Sequence, residues 1–149
     1  MKLAIHKNDL KGYFSKRWIN CCHNNSIDYK IVNCYSNNII QELRDCDALF
    51  WHFSHANSID YQLAINLIST LTAAGKKVYP DLNSCWHFDN KVTQKYLLEA
   101  VNAPLVESFV FYSRKESLKW IEQTHFPKVF KLKGGAGSAN VKLVRTKQE

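Results

Sequence analysis

Three of the chain's five glycines fall within Gly134–Gly137, in the segment FPKVFKLKGGAGSANVKLV from Phe126 to Val144. Lys128, Lys131 and Lys133 precede them and Lys142 follows. A glycine-rich turn lets backbone N–H groups approach an anion closely, because no Cβ stands in the way. Lysine brings the point charge that a phosphate needs. Between two strand-like runs, these residue types read as a hairpin folded over phosphates. The same glycines also suit an ordinary hairpin turn. Two phosphate motifs are excluded. A P-loop needs G-K-[S/T] running into a helix, and Gly137 is followed by Ser138, Ala139 and a β-type run. A dinucleotide fingerprint needs a βαβ unit after it, and none follows.

The charge agrees with an anionic partner for this segment. The chain's net charge is +7. Residues 1–113 carry 11 Lys/Arg and 10 Asp/Glu, whereas residues 114–149 carry 9 and 3, so +6 of the excess lies in the last quarter. A nucleotide phosphate, a nucleic acid and a plain solvated basic surface all fit that asymmetry.

The elements that must position these residues change style along the chain. The first 80 residues alternate: strand 2–6, helix 15–24, strand 29–35, helix 38–44 and strand 48–53, the last a continuous apolar run suited to burial on both faces. Helix 58–74 follows, with Leu63, Leu67 and Leu71 on one face beside Ala64 and Ile68. Ser58 is expected to cap it and Gly75 to end it. A strand from Lys77 closes at Pro80. This alternation predicts an α/β fold, a Rossmann-like parallel sheet with helices on both faces. Ligands of such sheets bind at the carboxyl ends of the strands. Residues offered there are His6 and Lys7, Ser36 and Asn37, His52 to His55, and Asp81 to Trp86. After residue 83 a small α+β portion is expected: helix 90–101, strand 107–111, helix 114–123, strand 129–133, the glycine turn and strand 140–144.

Other groups carry less. His52 and His55, at a strand end, read as lining a substrate cleft; no metal site is expected. Five cysteines without framework spacing read as reduced, several of them buried as small hydrophobes. Trp18, Trp51 and Trp120 read as core, and Trp86 as a cleft residue. No apolar run approaches the ~20 residues of a membrane span, and no signal peptide opens the chain, so a cytoplasmic protein is expected.

Lys91 opens a helix after an Asp-Asn pair (FDNK), and about forty residues later comes FPKVFKLKGGAGSANV. In this order, after an α/β domain, the two motifs resemble the ATP-grasp superfamily. The resemblance implies a pre-ATP-grasp domain over residues 1–82 and the incomplete N-terminal part of an ATP-grasp domain over 83–149. It implies ATP and Mg²⁺ as cofactors, with the metal ligands in a part not present here. It assigns Lys91 and Lys131 to the ATP phosphates, and Gly134, Gly135, Gly137 and Ser138 to the loop closing over them. Leu132 stands where the family commonly has proline, and GGAGS is a variant of the usual loop. The activity implied is that of an ATP-dependent ligase. A carboxylate becomes an acyl-phosphate that an amine or thiol attacks. The partners implied are nucleotide and small-molecule or peptide carboxylates and amines, without membrane or nucleic acid; a homodimer stays open. The chain reads as a fragment inactive by itself. The alternative is a non-catalytic α/β binding module whose basic C-terminal arm takes nucleic acid or an acidic partner. A receiver-like domain is disfavoured, because strand 48–53 ends in Trp51-His52-Phe53 rather than in acidic residues.

Overall fold

A computed structural model describes residues 1–9, 11–54, 57–134 and 140–149. The chain divides into two compact units, Met1–Trp86 and His87–Glu149.

The first unit is a four-stranded parallel sheet in the order β2-β1-β3-β4, formed by β1 (Lys2–His6), β2 (Asp28–Val32), β3 (Ala48–Phe50) and β4 (Lys77–Tyr79). Helices α1 (Ser15–Asn24), α2 (Ile39–Glu42) and α3 (Ser58–Ala73) connect these strands. Alternating strand residues feed two cores, as the period of two requires. Ala4 and Leu49 join Ala64, Leu67, Ile68 and Leu71 of α3 in the larger core. Leu3, Ile5 and Ala48 join Cys22 and Trp18 of α1 on the other side. The expected parallel α/β sheet is therefore the fold of this unit.

Several boundaries differ from expectation, each for a local reason. The N-cap of α3 is Asn57 rather than Ser58; its side chain accepts from the N–H groups of Ile59 and Asp60. Gly75 does end that helix, at φ +75°. Its N–H donates to Thr72 O and that of Lys76 to Leu71 O, a Schellman motif. Strand β2 stops at Val32 because Asn33 turns the chain: its Oδ1 accepts from Tyr35 N–H and its carbonyl from Ser36 N–H. Strand β3 stops at Phe50, although Trp51 N–H still reaches Tyr79 O and both Trp51 and Phe53 stay buried. Pro80 has no N–H to carry the ladder further.

The amino-terminal edge of this sheet is tied by charge. Asp45 takes Lys2 Nζ at 2.7 Å and Lys30 Nζ at 2.9 Å, and Asp47 accepts the Lys2 N–H at 2.6 Å.

The second unit contains α5 (Lys91–Ala100), α6 (Arg114–Gln123) and the antiparallel pair β5 (Lys128–Lys131) and β6 (Val141–Val144), while α4 (Leu82–Cys85) closes the first. Residues 107–111, expected as a strand, form no ladder. Phe109 and Phe111 instead lie 4.8 and 5.3 Å from the Trp120 ring of α6. Their spacing of two reflects packing against a helix, not pairing. Every buried hydrophobic among the described residues lies between Leu3 and Cys85. In the second unit Val129, Phe130, Leu132, Val141 and Leu143 of the hairpin are all exposed.

Among the described residues, no helix is long and apolar enough to cross a membrane. Cys22, Cys34, Cys46 and Cys85 are buried free thiols whose pKa values burial raises, and Cys21 is exposed.

Candidate functional site

Lys91 is the first residue of α5, and the helix starts there because Asn90 caps it: Asn90 Oδ1 accepts from Thr93 N–H at 3.1 Å. The Lys91 N–H donates to Lys133 O at 3.0 Å. One backbone bond thus fastens the start of α5 to the arm that leads into the glycine turn. The base of that turn is closed twice more. Leu132 N–H donates to Asn140 O at 3.1 Å, and Asn140 Nδ2 donates to Gly134 O at 2.9 Å. The structure therefore brings together Lys91, Lys133 and Gly134 from two segments distant in sequence.

Lys131 is the last residue of β5, exposed, and paired with Val141. Alternation puts it on the face opposite Lys128, whose ammonium lies 5.8 Å from the Trp120 ring centre and 5.9 Å from that of Phe109. Lys128 is thus engaged with the α6 side, and Lys131 is on the other face.

Gly134 borders Asp89. A Cβ built on Gly134 would lie 3.7 Å from Asp89 Oδ2 and 3.8 Å from Asp89 O, ordinary contact distances. Asp89 Oδ1 is 3.9 Å from Lys91 Nζ. In the sequence Asp89 is only the first half of the Asp-Asn pair; the fold sets it beside the glycine. Gly135, Gly137 and Ser138 lie outside the described residues, as does His55.

A second constellation occupies the carboxyl edge of the parallel sheet in the first unit. His6 ends β1 and is 6% exposed. Its Nδ1 accepts the Cys34 N–H at 3.0 Å, so the ring is the neutral tautomer protonated on Nε2. Burial lowers its pKa, with Asp60 pulling weakly the other way. The ring meets Tyr35 at 5.4 Å and Trp51 at 5.5 Å. Tyr35 Oη donates to Asp60 Oδ1 at 2.7 Å; burial and this bond both raise the phenol's pKa. Trp51 Nε1, fully buried, has no hydrogen-bond partner among the described residues.

His52 lies beside this edge. Its Nδ1 accepts from Phe14 N–H at 3.3 Å and its ring stacks on Phe14 at 4.5 Å, with Tyr13 at 4.6 Å. Burial lowers its pKa. Among the described residues no group of three or more His, Cys, Asp or Glu side chains could hold a metal ion.

No protein-family model matches the sequence, and no curated protein matches it. Solved structures do. The chain superposes over 99% of its length on an ATP-grasp RimK-domain protein from Sphaerobacter thermophilus, with a TM-score of 0.70 and 14% identity, covering 55% of that chain. It superposes equally completely on N5-carboxyaminoimidazole ribonucleotide synthetase from Thermotoga maritima, with a TM-score of 0.64 and 15% identity, covering 42% of that chain. The chain spans about half the length of these structures. What it shares with them is the fold, a parallel α/β sheet followed by a small α+β unit.

Proposed function

We propose that this chain is part of an ATP-dependent ligase, with residues 1–82 as its pre-ATP-grasp domain and 83–149 as the first part of its nucleotide-binding domain. The observation that carries this reading is the bond from Lys91 N–H to Lys133 O. It joins the two motifs, far apart in sequence, that a phosphate site needs side by side. Lys91 and Lys131 hold and neutralise ATP phosphates, and the turn from Gly134 to Ser138 closes over them. The donors suit a polyphosphate: two ammonium groups and the backbone of a glycine-rich turn. Magnesium has no ligand set among the described residues, and no step is assigned to it here.

In the reaction proposed, a substrate carboxylate oxygen attacks the γ-phosphorus and ADP leaves. The resulting acyl-phosphate is attacked at its carbonyl carbon by an amine or thiol, and phosphate leaves. The carboxyl edge of the parallel sheet, with His52 beside it, is the proposed substrate side. The exposed apolar hairpin residues support the view that the 149-residue chain is a partial domain without turnover of its own.

Lys91→Ala and Lys131→Ala are each expected to weaken ATP binding on the order of tenfold, the usual effect of losing one charge-assisted contact. Titration calorimetry at low salt checks this; unchanged affinity in both variants overturns the reading. Binding of a single-stranded oligonucleotide with steep salt dependence and no competition from ATP would favour the basic-arm alternative.

Gly134→Ala separates a ligand role for the glycine from a structural one. Its backbone is outside the left-handed region and the added Cβ meets only ordinary contacts among the described residues. Thermal stability is therefore expected to stay within about 0.5 kcal/mol, while ATP affinity falls because the methyl intrudes on the phosphate. Equal affinity in the variant would show that Gly134 does not approach the ligand.

A further inference from the structure

We propose that Asp89 is an anion placeholder: its carboxylate holds the place beside Lys91 and Gly134 that a phosphate takes, and it must yield that place for phosphate to bind. The inference rests on the nucleotide reading above and adds the residue that sets the site's affinity.

The position of the carboxylate is unusual for an acidic side chain of this unit. It is only 16% exposed, lies 3.9 Å from the Lys91 ammonium and borders the Cα of Gly134. Its ionic neighbour is Lys91, and the glycine-bearing motif also carries Lys131 and Lys133. The backbone of Asp89 is left-handed, φ 51°, a conformation uncommon outside glycine but tolerated by Asp and Asn. It turns the chain so that both the carboxylate and the carbonyl of Asp89 face Gly134.

The groups that stabilise this carboxylate would stabilise a phosphate in the same way. They include an ammonium, that of Lys91, and the positive end of α5. Two anions in contact there repel one another. Phosphate binding therefore requires the Asp89 carboxylate to swing out. With Asp89 in place, 3.9 Å from the Lys91 ammonium, weak anions are kept from that charge. Asp89 thus selects for ligands with enough negative charge to displace it, which favours a polyphosphate over a single carboxylate or chloride.

The test is titration of the 149-residue chain with inorganic tripolyphosphate in EDTA, so that no metal bridges the two anions. Asp89→Asn and Asp89→Gly both suit the left-handed backbone and remove the charge. Each is expected to bind tripolyphosphate on the order of tenfold more tightly than the parent chain, with circular dichroism showing both folded. If the parent binds and both variants bind equally or more weakly, Asp89 is no placeholder and the nucleotide reading stands. If none of the three folded proteins binds, both readings fall.

Discussion

Trp51→Ala is expected to destabilise the first unit by about 3–5 kcal/mol, enough to unfold much of it at room temperature. Trp51 is 1% exposed, sits where the ladder of β3 ends, and contacts His6, Tyr35 and Phe53. Removing the indole leaves a cavity that the parallel strands on either side are too constrained to fill. Trp51→Phe is expected to cost less than half as much. The smaller ring forfeits packing, but it also removes an N–H that is buried without a partner among the described residues, and an unsatisfied buried donor costs about 1–3 kcal/mol. Urea unfolding followed by circular dichroism compares the two. Equal losses in both variants would mean that the phenyl ring recovers none of the indole's packing.

The second large effect is a loss of stability in mild acid. An unfolded histidine titrates near 6.5, and burial lowers the pKa of His6 in the fold. Between the two values the unfolded chain binds a proton that the folded chain does not, so stability is lost as pH falls below about 6.5. Each unit of depression is worth about 1.4 kcal/mol once fully expressed. His52, also lowered by burial, acts in the same direction. A charged His6 would lose the bond its Nδ1 accepts from Cys34 N–H; the nearby Asp60 carboxylate offsets this only in part. Urea midpoints at pH 7.5 and 5.5 bracket the transition while ordinary carboxylates stay ionised. His6→Asn, which can still accept the Cys34 N–H but cannot titrate, is expected to flatten much of the difference, leaving the share due to His52. An undiminished pH dependence in that variant would assign the effect elsewhere.

How much of this was legible beforehand depends on how local each cause is. Helix α3 could be read because its buried stripe, Ala64, Leu67, Ile68 and Leu71, repeats at helical spacing and Gly75 stops it. The parallel sheet could be read because apolar strands alternate with helices. The end of β2 could not, because the choice of Asn33 to bond its own neighbours competes with the ladder on nearly equal terms. Residues 107–111 carry a strand's periodicity, but the partner they pack against is Trp120, a tertiary fact. For the candidate site, Lys91 and the glycines stood out by type, and a family pattern set them in one frame. That Lys91 N–H meets Lys133 O, and that Asp89 faces Gly134, depends on a long-range packing that no spacing rule encodes. His6 was one of several residues at strand ends; its burial against Tyr35 and Trp51 distinguishes it.

The two rims of the parallel sheet are fastened by different chemistry, and so they answer to different solution variables. One is held by Lys2, Lys30, Asp45 and Asp47 at the surface, where added salt screens the attraction and protons at moderate pH change little. The other is held by a neutral imidazole and an indole packed out of water, with a half-exposed phenol against both, where salt has less to screen and a single proton changes the arrangement. Ionic strength and acidity are thus separate handles on the opposite ends of the same four strands.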